Sequence, residues 1–338
     1  MALPDTQPLR GGTPFARPHR GPGLGSAALR LLNRYSFGFA LLLSIALLIA
    51  NLVEESGSFS VTNQLADLAP LALAGMASTP SIISGGGGFD LTVSPVMILS
   101  GGIFAVWLVP AGLGGAIAVP IVLVAGAAMG AFNGLLIILL RVPPVVVTLS
   151  MYFVLLGVDL VIIPSPVTLN SSWVTHLGSS VGPIPGAVFT LGTPLLIWGL
   201  LGLTPYRRTL FAVGSNGAAA FSAGVNVARV RVLAFSLGGM FAAVGGLALL
   251  GLDASVNATY APTYTLIGIA AVALGGTSLW GGRGGIFGAV LGAASIWLLE
   301  NLLTILQVNQ SWLQVVYGML LVFAVVLSGV AQRGEAPA

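Results

Sequence analysis

The sequence predicts an all-α polytopic membrane protein of about ten transmembrane helices with a broken helix near 84–94, and three observations carry that prediction. Of 338 residues 56% are hydrophobic and only 6% charged, against roughly 25% charged in soluble domains. Too little polar surface exists to cover a water-soluble particle. Apolar windows recur at about 36–53, 64–84, 91–109, 114–140, 145–163, 186–203, 230–252, 261–279, 285–306 and 312–331. Most approach the roughly 20 residues that a helix needs to cross hydrocarbon, the third, sixth and eighth being shorter or interrupted. With the N-terminus in the cytoplasm and sides alternating, Arg10, Arg17, Arg20, Arg30, Arg34, Arg141, Arg207, Arg208, Arg229, Arg231, Arg283 and Arg333 all fall inside, as the positive-inside rule requires. Glu54, Glu55, Asp159 and Asp253 then fall at outer ends. Both termini are expected in the cytoplasm; a count of eight, dropping the second and third windows together, keeps the arginines inside as well.

Residues 1–34, rich in Pro, Gly and Arg without apolar periodicity, read as a disordered cytoplasmic tail. The window at 36–53 follows a leader too long for a signal peptide and lacks a small-x-small cleavage site before Glu54, so it reads as the first span of a permease-sized bundle over 35–331. Ser84 to Ser94 (SGGGGFDLTVS) places four glycines and Asp90 between the second and third windows. Each glycine costs about 1 kcal/mol relative to alanine in a helix, so the helix is expected to break there and restart near Asp90. An acid at a helix N-terminus accepts from free amides and complements the dipole. A cap is one reading of Asp90, and a role in a translocation path or gate is the other.

Gly126, Gly130 and Gly134 in the fourth window, and Gly284, Gly288 and Gly292 in the ninth, form ladders at a spacing of four. Small residues let helix backbones approach where lipid gives no hydrophobic drive; a glycine face lining a conduit is the alternative. Residues 164–185, with four prolines, Asn170, Ser171, Ser172, Trp173 and His176, read as an outer loop. Thr204 to Arg231 is the most polar inside segment. Asn216 or Ser215 can cap a short helix there, and Gly224 can supply the left-handed residue that ends it. A connector of this length with its own cap and stop suggests a docking element. Residues 332–338 form a short cytoplasmic tail.

The same composition excludes several activities. There is no cysteine, and His19 and His176 are the only histidines, so no Cys/His metal site or nucleophilic catalytic set can form, and neither a metal nor a catalytic residue is expected. There is no lysine, so a Gly-Lys-Ser/Thr phosphate loop is absent. The net charge of +3 is dispersed and does not argue for nucleic acid. The polar positions left inside spans are Asn133, Thr148, Glu300 and Asn301, which with Gly87, Gly88 and Asp90 make up the candidate path or gate. Glu300 reads either as functional or as a side chain reaching the outer interface.

YRRTLFAVGSNGAAAFSAGVNV resembles the coupling segment of ATP-binding-cassette (ABC) permeases of the ribose, xylose and arabinose type, matching at Gly214, Asn216, Ala219, Ala220, Gly224 and Val225. Gly87–Val93, the Asn133-Gly134 pair with Val142–Leu149, and Ile269–Gly284 are similar to three further motifs of that family, in the same order. The resemblance spans roughly 36–331. It implies an inner-membrane permease subunit translocating a monosaccharide and pairing with a second permease chain. It also implies a cytoplasmic ABC ATPase docked at Gly214, Asn216, Ala219, Ala220 and Gly224, and a periplasmic sugar-binding protein that delivers substrate. ATP would be bound by the partner subunit, so this chain would be no enzyme and carry no cofactor. Gly217, Ala218 and Phe221 depart from the acidic residues and arginine often found there, and Ser94-Pro95 departs from the usual Val-Gly. The solute thus stays open between a pentose or hexose and a nucleoside or autoinducer-like molecule, as does homodimer against heterodimer. A stand-alone secondary transporter is the rival from another class; it calls for paired intramembrane charges, and the spans hold scattered acids without an arginine partner.

Overall fold

The computed structural model describes residues 37–54, 59–169 and 172–309, together with positions 312, 315, 318, 319 and 322. The tails expected at 1–34 and 332–338, the arginines in them, Glu55, Asn170, Ser171 and most of the tenth window lie outside the described residues. Each of the first nine windows contains a helix. In chain order these are α1 (Gly38–Glu54), α2 (Val61–Ile83), α3 (Val93–Gly102), α4 (Ala118–Leu140), α5 (Pro144–Ile162) and α6 (Ala187–Leu201). There follow α7 (Pro205–Ser215), α8 (Gly217–Ser222), α9 (Val227–Asp253), α10 (Ala261–Leu274) and α11 (Ile286–Ile305). Among the described residues five helices, α2, α4, α5, α9 and α11, are long and apolar enough to cross a membrane. The bent pair α6 and α7 makes a sixth if counted as one span, and α1, α3 and α10 are shorter apolar helices.

Local sequence explains the ends. Ser60 caps α2, its side chain accepting from the Asn63 amide. Pro144 opens α5 at a position where a missing N–H costs nothing. α3 runs on through a wide π-turn over Ile103–Leu108, where the Val109 amide reaches back to the Phe104 carbonyl. Phe104, on that turn, meets Trp173 edge to face at 5.9 Å. Two short strands, β1 (Val167–Thr168) and β4 (Ser255–Val256), pair antiparallel and tie the loop after α5 to the end of α9. Between them β2 (Ser180–Val181) and β3 (Ile184–Pro185) form a small hairpin.

The centre of the bundle is α2, buried over most of its length, held against α9, α10 and α11. α9 is the second buried column and crosses α4 along the first glycine ladder. A Cβ on Gly126 would run into the Gly239 carbonyl, one on Gly130 into the Phe235 carbonyl, and one on Gly134 would lie 2.9 Å from the Val232 Cα. The ladder is a backbone crossing and lines no conduit. The second ladder is shorter than its spacing suggested. Gly288 and Gly292 press on Gly275 and Ala271, while Gly284 lies ahead of α11 in the loop with φ 118°.

These crossings sort the charges. Because Gly126 faces Gly239 and Gly134 faces Val232, α4 and α9 run antiparallel. Arg141, at the end of α4, therefore lies at the same end of the bundle as Arg229 and Arg231. Arg207, Arg208 and Arg283 join them through α7 and the loop before α11. Glu54, Asp67, Asp159, Asp253 and Glu300 lie towards the opposite ends of their helices.

Gly130→Ala should lower stability by about 1–3 kcal/mol, the usual cost of overpacking, read as loss of folded protein in a detergent-denaturation titration. Gly157→Ala, with nothing within 4 Å of the added Cβ, should be neutral or stabilising by up to about 1 kcal/mol.

Candidate functional site

The glycine run is the turn at the arginine-bearing end. α2 stops at Ile83, and Gly85, Gly86 and Gly87 follow with φ of 73°, 66° and 72°, a left-handed succession that side chains with a Cβ resist. Gly88 is required for a different reason: a Cβ there would overlap the Ser81 carbonyl. The chain then re-enters the bundle. Asp90 is buried, and its Oδ1 accepts from the Thr92 amide at 2.9 Å and the Thr92 hydroxyl at 2.6 Å. Asp90 thus builds a tight turn just ahead of α3, two residues earlier than a simple N-cap, since Thr92 holds the cap position and caps nothing with its own side chain.

Three other helices stitch this irregular stretch. Asn133 on α4 donates Nδ2 to Thr92 Oγ1 at 2.8 Å. Thr148 on α5 donates to the Phe89 carbonyl at 3.1 Å. Thr265 on α10 lies 3.2 Å from the Leu91 carbonyl, to which it donates, and accepts from the Ser94 amide at 3.2 Å. Asp90, Asn133 and Thr148, scattered in the sequence, thus meet at one place. Thr92, marked in the sequence only as part of the Gly87–Val93 motif, and Thr265 belong with them; a threonine in an apolar helix such as Thr265 reads as ordinary until its distant partner is known.

Glu300 and Asn301 lie elsewhere. They sit near the far end of α11, where Asn301 Nδ2 donates to Asn51 Oδ1 at 2.9 Å and Asn51 Nδ2 in turn donates to the Leu298 carbonyl at 2.9 Å. The single candidate path or gate expected from the sequence therefore divides into two clusters, one on the glycine turn and one at the acidic end.

The segment 204–231 contains two helices where one was expected. α7 turns away from α6 by 88°, and α8 follows after a one-residue break. Asn216 caps α8 by accepting from the Ala219 amide at 3.0 Å, and Gly224 ends it at φ 84°. Ala220 is buried against the body, while Ala218, Ala219 and Phe221 face outward. Tyr206 donates to the Val230 carbonyl at 3.2 Å and clips α7 to the start of α9. Arg207 lies over the Trp198 ring, 5.4 Å from its centroid.

The base of this segment touches the glycine turn. A Cβ on Gly85 would lie 2.8 Å from the Gly214 carbonyl, and one on Gly214 would overlap the Ile83 carbonyl. That same Ile83 carbonyl accepts from the Gly282 amide at 3.0 Å. A Cβ on Gly282 would crowd Ser215, whose backbone lies 2.7 Å away. The end of α2, the end of α7 and the loop before α11 therefore meet backbone to backbone. Arg231 closes the contact, with a guanidinium nitrogen 2.6 Å from where a Gly86 Cβ would stand.

Residues 60–325 match the family described as branched-chain amino acid transport system / permease component. A fructose import permease of Rhizobium meliloti is 32% identical over 282 residues, 80% of this chain and 78% of that one. A ribose import permease of Bacillus subtilis is 33% identical over 301 residues, 86% and 89% of the two chains. The ribose import permease of Escherichia coli K12 is 31% identical over 303 residues, 86% and 93%. No solved structure matches the chain.

Asp90→Asn keeps an acceptor oxygen for both Thr92 bonds and should leave the fold intact. Asp90→Ala removes it and should cost about 1–2 kcal/mol, the scale of a lost cap, seen as a lower unfolding midpoint of the purified protein. Equal loss in both variants would show that the charge, and not the turn, is what matters at this position.

Proposed function

Because the chain belongs to the branched-chain amino acid transport system / permease component family, we propose that it is the membrane subunit of an ABC importer moving a monosaccharide across the inner membrane. Ribose and fructose import permeases align over most of its length, which supports a pentose or hexose as the solute. Hydrolysis takes place on a separate ATPase, since this chain has no lysine from which to build a phosphate loop. A binding protein on the outer side hands over the sugar, and a second permease chain completes the translocation unit. Ten spans with both termini cytoplasmic is the topology we adopt; like the alternative of eight, it puts the arginine-bearing end inside.

The observation that carries the reading is the backbone contact between α7 and the end of α2. In the proposed mechanism the ATPase grips α8 through its outward residues, among them Ala219, with Gly214, Asn216, Ala220 and Gly224 holding the shape of the segment. Closure of the ATPases on ATP displaces the segment. With no side chain to yield at Gly85, Gly214 or Gly282, that displacement reaches Ile83 undiminished. The glycine turn, including Gly87 and Gly88, gives way there because it has no helical hydrogen bonds to break. The restart at Asp90, stitched to Asn133 and Thr148, moves α3 as a unit and so alters the path. Glu300 and Asn301 act at the other end of the same path.

Ala219→Trp places a bulky group on the exposed face of α8 without touching the core. It should reduce co-purification of the ATPase at least about tenfold, equivalent to roughly 1.4 kcal/mol, while insertion and thermal stability stay unchanged. Sugar uptake into reconstituted vesicles should require both the ATPase and the binding protein. Uptake by the permease alone would sink the proposal.

A further inference from the structure

At the acidic end α2, α9, α10 and α11 leave a cavity of about 310 Å³ between them, the lower end of the volume range in which small ligands are held. We propose that this cavity is a holding site for one polyhydroxylated solute, a sugar, inside a single permease chain. The proposal rests on the import reading above and adds a place and a chemistry to it.

The wall has two kinds of surface. Leu71 and Ile267 are apolar and buried, and the rings of Trp297 and Tyr264 stand beside them. Asp67 and Glu300 supply carboxylates, and neither makes an ion pair or hydrogen bond with its side chain among the described residues. Of the neighbouring donors, Trp297 Nε1 is buried without a hydrogen-bond partner among the described residues, and two others are committed elsewhere. Asn301 gives its Nδ2 to Asn51 Oδ1 at 2.9 Å, and the Thr304 hydroxyl donates to the Glu300 carbonyl at 2.9 Å. What the wall presents is therefore two carboxylate acceptors and one unpartnered indole N–H beside an apolar and aromatic face.

This arrangement selects by chemistry. An anion is repelled by Asp67 and Glu300, with Asp253 near enough to Asp67 to add to the field. An acyl chain would bury carboxylates with nothing to satisfy them, at a cost of several kcal/mol. A sugar ring carries hydroxyl donors for the carboxylates and C–H faces for the rings, and hydrogen bonds to charged acceptors are the stronger kind. An organic ammonium ion is the remaining donor, and it is separated from a sugar by experiment. The site lies at the end opposite the ATPase-facing segment, where a solute handed over from outside would first lodge.

The test uses the permease–ATPase complex in lipid nanodiscs, titrated with ribose, fructose and choline while intrinsic tryptophan fluorescence is followed. The expected result is a saturable change with at least one of the two sugars and none with choline. Trp297→Phe should abolish the change. The double variant Asp67→Asn with Glu300→Gln should weaken apparent affinity at least about tenfold, the effect of losing roughly 1.4 kcal/mol of contacts. Retained ATPase co-purification shows that the variants still assemble. A sugar response undiminished in both variants, or a response to choline alone, overturns the site. The same sugars are offered to vesicles containing the complete system. ATP-driven uptake without any fluorescence change in the unmodified complex overturns the holding site and leaves the import reading standing, whereas absence of uptake counts against the import reading itself.

Discussion

The constraint on which the rest of this structure depends is that backbone polar groups away from water must find partners inside the protein. Residues 84–92 leave the helical hydrogen-bond ladder within a bundle that is otherwise helical, so their carbonyls and amides need partners from elsewhere. Thr148 supplies one at Phe89, Thr265 one at Leu91 and another at Ser94, and Asp90 folds the chain on to Thr92. Thr148 and Thr265 sit on different helices, and Asn133 on a third, α4, holds the Thr92 hydroxyl. The break therefore fixes how α4, α5 and α10 stand around α3, and the helix positions in turn decide whether the break is tolerated. A tight core follows from the same logic. Without a hydrophobic drive between helices in lipid, the close approach of α4 to α9 and of α10 to α11 has to come from residues small enough to let backbones touch.

The glycines at 85, 214 and 282 serve a different end from those in the helix crossings. The crossings join regular helices and resist relative motion along their whole length. The contact at Ile83 joins the ends of two helices and a loop. In the proposed mechanism, movement of α7 would be passed on because the backbones leave no compressible side chain between them, and it would be absorbed by a stretch that has no helical ladder to lose. Stiffness at the contact and compliance just beyond it are what a coupling element needs, and both come from the absence of Cβ atoms.

Much of this was legible in the sequence where the signal is local. The α8 cap at Asn216, its stop at Gly224, the interruption after Ser84 and the spacing of the first glycine ladder are each set by a few neighbouring residues. Signals of long range were not legible. Thr265 looks no different from any threonine in an apolar helix, and its partner lies 171 residues away. The 88° bend between α6 and α7 follows a Gly-Leu-Thr-Pro stretch that marks a boundary without an angle. Glu300 and Asp90 both read as polar residues inside spans, and hydropathy along the chain cannot say that they occupy opposite ends of the bundle.

On the proposed import mechanism, that separation has a functional sense. At the arginine-bearing end Asp90, Asn133 and Thr148 use their hydrogen bonds on the protein itself, so the polar groups there hold a shape that other subunits can shift. At the acidic end the carboxylates of Asp67 and Glu300 are left facing a cavity, so the polar groups there are available to a solute. A carrier that must release its cargo gains from keeping these roles apart. If the groups that shape the hinge also bound the sugar, every gain in affinity would stiffen the movement that frees it. With the two roles at opposite ends, linked through the buried column of α2, occupancy and movement can each change without altering the chemistry of the other.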